Sequence, residues 1–267
     1  MIFNKLKRLL VLAIVFLVVP DKELHADEVQ GLFEIELIAN SQSAEDREQA
    51  IKQALYGVLN RVLVSEDISK IPAVQQALQG AQHYVKQFQY SLIAADEYSE
   101  SDARLIRVEF DQDQLMELMR QSQVGIWSEI RPRTLVWLVV DEGGKRQFYN
   151  PDEMPEFETA LATASKIKGV PVIYPMLDLE EQQKISVSEV LSADTRNLLN
   201  VSARYEVPAV MAGRVLHKGQ CWQGEWAFYF DGKISQWNTT CLPLKSTMLE
   251  GIQGAYKILS TYYGVKP

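Results

Sequence analysis

The chain has 267 residues, 47% of them hydrophobic and 23% charged, with 35 acidic against 27 basic side chains and a formal charge of −8. A surface of that sign repels phosphate backbones and anionic lipid headgroups, whose binding depends on lysine and arginine, so no nucleic-acid partner is expected. The only two cysteines are Cys221 and Cys241, and no HExxH or other zinc spacing is present, so neither a metal nor a cofactor is expected.

Lys5, Lys7 and Arg8 open the chain, and an uncharged apolar run over residues 9–19 follows, closed by Pro20. A membrane-spanning helix needs about 20 residues to cross ~30 Å of hydrocarbon, and this run is too short for that. Its length and flanks read as the n- and h-regions of a secretory signal. Leu24-His25-Ala26 places a small residue at a cleavage position, so residues 1–26 are expected to be removed and the mature chain to start at Asp27. Retention of the segment as an uncleaved anchor is the alternative. A lipid anchor is not expected, because it needs a cysteine at the cleavage point. The segment carries Lys5, Lys7, Arg8 and Lys22 against Asp21 and Glu23, so its loss takes the formal charge from −8 to −10. No later apolar run approaches spanning length. The expected location is periplasmic, with no transmembrane segment after processing.

Residues 27–122 are expected to form an α+β domain. A strand over 29–39 leads through Ser41-Gln42-Ser43 into a helix whose Ile51, Ala54, Leu55, Val58, Leu59, Val62 and Leu63 share one stripe. Glu45, Asp46 and Glu48 lie in its first turns, where the macrodipole favours negative charge. Arg47 and Arg61 on this helix are candidate anion ligands, with a solvated face as the plainer reading. Pro72 suits the first turn of a second helix over 72–86. Strands over 88–95 and 104–110, joined by an acidic turn at 99–102, and a helix over 111–121 complete the unit.

Residues 123–133 read as a linker, where Pro132 disfavours a helix. Residues 134–267 are expected to form an α/β domain. The continuous apolar run over 134–140 fits a strand covered on both faces, and Asp141-Glu142-Gly143-Gly144 ends it in a turn. A helix over 155–168, a strand over 170–174, a helix over 193–205 and a strand over 209–215 follow. A long hairpin and a helix over 247–262 close the chain, with Thr247 and Glu250 at capping-box spacing. The expected fold class is therefore α/β, with an α+β first half and an α/β second half ending in a long hairpin and final helix.

The hairpin flanks Asp231-Gly232, a strong turn signal. A two-residue turn pairs Phe230 with Lys233 and sends Cys221 and Cys241 to opposite faces. A three-residue loop with a Gly232 bulge pairs Tyr229 with Lys233 and puts the cysteines opposite one another, at the ~5.5 Å Cα separation a disulfide accepts. Cysteines so placed in an oxidising compartment are expected to be bridged. The bulged loop is therefore the expectation, unless a bulge elsewhere, as at Gly224, corrects the register. The same register puts Trp222, Trp226, Phe228 and Ile234 on one face. This row is either a carbohydrate or peptide platform or, as favoured here, a core face under helices.

Catalytic signatures are sparse. After processing His83 and His217 are the histidines that remain, and no GxSxG elbow, GxGxxG or P-loop occurs. Asp178 follows the strand over 170–174, and ligands favour the carboxyl ends of strands in α/β sheets; a helix cap is its plainer role. Arg204 suits the negative end of a helix and is a second candidate binding residue.

Short blocks in order carry a resemblance. They are Arg47 with Ala50, Leu55, Val58 and Leu59; Arg131-Pro132-Arg133-Thr134-Leu135-Val136-Trp137; Gly169-Val170-Pro171-Val172; Pro175-Met176-Leu177-Asp178; Ser202-Ala203-Arg204-Tyr205; Gly213-Arg214-Val215; and the strand from Trp222 to Trp226. The chain so read resembles the proteobacterial secreted family catalogued as domain of unknown function 2066. The second half is remotely similar to small α/β domains of outer-membrane accessory proteins, which are typically lipoproteins, whereas this chain lacks the anchoring cysteine. The resemblance implies export and no activity. The expectation is a periplasmic accessory or adaptor protein that binds a cell-envelope protein or a peptidoglycan-associated component. The alternatives are an envelope hydrolase using carboxylates near Asp178, or a small-ligand binder.

Overall fold

The computed structural model describes residues 26–65, 67–93, 102–121, 123–192 and 194–265. Residues 1–25 of the signal-like segment and most of the acidic turn expected at 99–102 lie outside them.

The first half runs β1 (Ala26–Glu28), β2 (Glu34–Ala39), α1 (Ala44–Val62), β3 (Leu63–Val64), α2 (Pro72–Gln79), β4 (Val85–Ser91), β5 (Arg104–Phe110), α3 (Gln112–Gln121), β6 (Gly125–Ile126) and β7 (Ile130–Pro132). Ser43 caps α1 by accepting the Asp46 N–H at 3.1 Å, which satisfies one of the orphan donors of the first turn. The apolar stripe of α1 is buried throughout and lies against an antiparallel sheet ordered β2-β5-β4. The outer face of that sheet is polar: Arg107 pairs with Glu36 at 3.0 Å and Lys86 with Glu109 at 2.6 Å. The second helix is shorter than its expected span. Pro72 starts it, but Gly80 ends it and a 3-10 turn (Ala81–Tyr84) feeds directly into β4.

The second half runs β8 (Thr134–Glu142), β9 (Lys145–Phe148), α4 (Pro155–Lys168), β10 (Val172–Ile173), α5 (Leu179–Lys184), α6 (Arg196–Ser202), β11 (Ala209–Lys218), β12 (Cys221–Phe230), β13 (Lys233–Leu242) and α7 (Leu244–Tyr263). The sheet order is β10-β8-β11-β12-β13, with β9 on the far end of the edge that β10 occupies. β8 runs parallel to β10 and β11, and the remaining pairs are antiparallel. The apolar run of β8 is buried on both faces, as its composition requires: Val136, Leu138 and Val140 join the core under α4 and α7, while Leu135, Trp137 and Val139 join a second core with residues of α6 and of the segment after α5. The fold is thus α/β. Both β9 and α5 are additional to the expected elements, and the strand and helix expected over 170–174 and 193–205 contract to β10 and to α6 with a 3-10 turn (Ala203–Tyr205).

Two local expectations are corrected. The final helix starts at Leu244, directly from the hairpin, so Thr247 is no cap; it is buried, and its hydroxyl donates back to the Pro243 carbonyl at 3.2 Å. The hairpin turn is also the two-residue form. Phe230 pairs with Lys233, and both Asp231 (φ 52°) and Gly232 (φ 69°) are left-handed, as a type I′ turn demands. The register is corrected lower down: between Trp222 and Gly224, β13 carries one residue more than β12. That bulge brings Cys221 and Cys241 to a Cα separation of 5.2 Å, and they are bridged. The two-residue turn itself leaves Ile234 opposite Tyr229, on the other face from Trp226 and Phe228, and 54% exposed. Replacing both cysteines with serine is expected to lower stability by up to about 3 kcal/mol, the loop-closure entropy of a chain segment this long. Urea midpoints with an unchanged m-value test it.

The segment expected as a linker is packed into the molecule. β6 pairs with β3 and bridges to Val265, β7 pairs with β1, and Trp127 and Arg131 are buried. The Arg131 guanidinium donates to five carbonyls, those of Ser128, Lys168, Gly169, Arg61 and Trp127, at 2.8–2.9 Å. Arg61 does not lie on a solvated face. It is buried, and its Nη1 donates to the Gly31, Leu32 and Glu34 carbonyls at 3.0–3.1 Å. Burial pushes both guanidinium groups down to about 10. From the other side, the Tyr256 hydroxyl of α7 donates to the Leu63 carbonyl at 3.0 Å.

Candidate functional site

The sequence 175–179, Pro-Met-Leu-Asp-Leu, must turn from β10 into α5. Asp178 is the N-cap of α5: one carboxylate oxygen accepts the Glu181 N–H at 2.9 Å, and the other accepts Arg204 Nη1 at 2.8 Å. The two candidate residues are therefore partners, 26 positions apart in sequence. The Glu181 amide, followed by Arg204, holds the Asp178 carboxyl below its usual range. Both oxygens are thus engaged, in the helix-cap role expected as the plainer one.

Behind the pair lies a buried carboxylate that the sequence did not single out. Glu181 is 1% exposed. It accepts the Leu177 N–H at 2.7 Å and the Tyr205 hydroxyl, with Arg204 Nη1 at 3.5 Å. The Tyr205 oxygen in turn accepts the Met176 N–H at 2.7 Å. Burial, then the bond to Glu181, pushes the Tyr205 phenol up to about 12, so it stays a donor at every physiological pH. Two consecutive loop amides are thus bound, one by the buried Glu181 and one by the half-buried Tyr205. The loop is strained as well as tied: Leu177 has φ 51°, a left-handed conformation costing a bulky residue roughly 1–2 kcal/mol. Its side chain packs onto the second core of the sheet, and this offsets the strain. Its neighbours point the other way. Met176 is 70% and Leu179 77% exposed, among the most exposed large apolar residues described.

Asp178 contributes stability with a definite pH sign. Its folded-state value lies below the unfolded value of about 3.9, so the unfolded chain binds the proton first and the contribution is complete above about pH 4. It is lost as pH falls through the lowered value. Acid unfolding of Asp178→Asn is expected to be less steep below pH 4 than that of the parent, measured by far-UV circular dichroism.

The carboxyl ends of the parallel strands β8 and β11 hold a different cluster. Asp141 accepts Arg214 Nη2 at 2.7 Å and Arg146 Nη2 at 2.9 Å, and Arg214 then hold its carboxyl low together with Arg146. Glu225 approaches Arg214 at 3.6 Å. These charges alternate across four neighbouring strands, a cross-strand ladder. Next to it His217 meets Glu142 at 3.0 Å and stacks on Trp222 at 4.5 Å. Trp222 is half-buried against Phe157, and Trp226 lies in the core at 2% exposure, so neither forms an open aromatic platform. His83 is exposed and turns back to the Gly80 carbonyl, and Arg47 lies over Phe88 at 5.7 Å. The expected cleavage position Ala26–Asp27 opens β1, whose backbone pairs with Pro132 and Arg131. Among the described residues no group of three or more His, Cys, Asp or Glu is placed to hold a metal ion, and no helix is long and apolar enough to cross a membrane.

The comparisons with known proteins correct the resemblance drawn from the short blocks. The family model that matches is a different one, described as domain of unknown function 8605, over residues 26–128; nothing relates the chain to the family catalogued as 2066 or to outer-membrane accessory proteins. The matched span contains every residue of the core under the first sheet, from Leu32 to Ile126. No curated protein and no solved structure matches the chain.

Proposed function

We propose that the protein is an exported, periplasmic adaptor that docks a cell-envelope protein through the loop 175–179. The observation that carries this reading is the loop's construction. Its backbone is strained at Leu177 and fixed by a buried carboxylate, and it presents Met176 and Leu179 to solvent. Residues held in sparsely populated conformations cluster where a surface has work to do, and a rigid apolar anchor loses little entropy on binding. The surrounding charges are already paired, Asp178 with Arg204 and Glu180 with Lys184 at 2.6 Å, so the fitting partner has an apolar recess with a neutral rim. Export is supported by the cationic start, the short apolar run and the bridged cysteines.

Photo-reactive residues at 176 and 179 are expected to yield one shared discrete adduct in the cell envelope, absent when the same residue replaces the exposed Tyr56. Leu179→Asp beside a photo-reactive residue at 176, and Met176→Asp beside one at 179, are each expected to abolish that adduct without moving the thermal midpoint. Identical adducts at all three positions would sink the docking loop. The mass of the exported protein is expected to begin at Asp27 with no free thiol, and an intact Met1 would sink the export reading.

A further inference from the structure

Among the described residues, the six-stranded sheet ends on one side at β13, ten residues paired only with β12. Its outward backbone groups are a template for another strand, and proteins normally blunt such an edge with short length, proline or mid-strand charge. The other edge of this sheet is blunted, since β9 and β10 have four and two residues. β13 is not. Lys233 stands at its first position and Pro243 lies beyond its end, and residues 234–242 carry no charge. The bulge near Cys241 bends only the far end and leaves the register with β12 regular from Lys233 to Thr239.

We propose that β13 pairs antiparallel with β13 of a second copy, joining two sheets across a two-fold axis. The argument for a second copy is electrostatic. Each chain is acidic, −8 in full and −10 without residues 1–26, and copies of equal charge meet at least cost where the surface is neutral. The corresponding edge of the first sheet, β2, carries Glu34 and Glu36, and self-pairing there would set carboxylates against each other. On β13 the solvent row is Ile234, Gln236, Asn238 and Thr240, all exposed. A two-fold normal to the sheet sets Gln236 opposite Asn238 of the second copy and Ile234 opposite Thr240, so amides meet amides with no like charges opposed. The same register sets the two Trp237 side chains opposite each other on the α7 face, an aromatic cross-strand pair. This surface is separate from the loop 175–179, and the inference does not depend on docking there.

Sedimentation equilibrium of the purified protein over a wide concentration range is expected to show a reversible dimer. Gln236→Lys with Asn238→Lys is expected to weaken dimerisation at least tenfold, because it sets lysines opposite one another, while the thermal midpoint of the monomer stays in place. Hydrogen exchange supplies a readout that needs no variant: amides within 234–240 are expected to slow as concentration rises, and those of β4 are not. A protein that stays monomeric at millimolar concentration, or a dimer indifferent to both lysines, would overturn the proposal. So would a monomer whose β13 amides are protected only by an added extended peptide, which would assign the edge to a foreign strand.

Discussion

Replacing Arg131 with alanine is expected to cost at least about 4 kcal/mol and to leave little folded protein, since that is a large part of a typical domain's stability. A guanidinium has five N–H donors, and here each finds a carbonyl: Nε the Ser128 oxygen, Nη1 those of Lys168 and Gly169, Nη2 those of Arg61 and Trp127. Three of these acceptors end helices, Arg61 in the last turn of α1 and Lys168 and Gly169 at the end of α4. Their carbonyls have no intrahelical partner to fall back on and carry the negative end of each dipole. Stranding a buried acceptor costs about 1–3 kcal/mol, and alanine strands several at once while opening a cavity beside Trp127, whose ring lies 4.1 Å from the guanidinium. Arg131→Lys keeps the charge but offers three donors in the wrong geometry, with an expected loss of about 2–3 kcal/mol. Urea unfolding followed by tryptophan fluorescence and far-UV circular dichroism measures both. An alanine variant with the parent's midpoint would mean that the five carbonyls find other donors.

The contrast between Arg131 and α1 shows what a sequence can expose. The stripe on α1 and the apolar run of β8 repeat with a local period, so burial follows from spacing alone. The Asp231-Gly232 turn is equally local, and its two left-handed residues follow from their chemistry. The cysteine register was the harder problem: both a wider loop and a lower bulge satisfy the disulfide, and the chain takes the lower bulge. Arg61 was visible as a helix cation and Arg131 as part of a short block, but their burial was not, because their partners are backbone carbonyls that any sequence supplies, 70 and 37 residues away for Arg131. Glu181 was hidden for a related reason. It sits in a Glu-Glu-Gln-Gln-Lys run that reads as a solvated helix, and only the return of Tyr205 over it makes it a buried anchor. Asp178 and Arg204 were visible as charged residues near element ends, but their pairing, and the loop it braces, depend on how α5 and α6 lie together.

The second large effect is expected at Trp226, where truncation to alanine should cost about 3–5 kcal/mol. Its indole lies in a slot made by three glycines, Gly213 on β11, Gly224 on β12 and Gly251 on α7. A Cβ on Gly251 would stand 2.7 Å from Cζ2 of the ring, and one on Gly224 would stand 2.5 Å from Nε1, both inside contact distance. The slot explains a glycine in the middle of α7, where it costs about 1 kcal/mol against alanine. The two effects oppose each other, and this makes the sign of one substitution depend on another. With Trp226 present, Gly251→Ala is expected to destabilise by about 1–3 kcal/mol, because the ring is held from the other sides and cannot retreat. In a Trp226→Leu background the clash is gone and the helix gain remains, so the same substitution is expected to stabilise by up to about 1 kcal/mol. A double-mutant cycle from denaturant midpoints reads the reversal directly. A Gly251→Ala effect of the same sign in both backgrounds would show that helix propensity, and not the indole, sets the residue at that position.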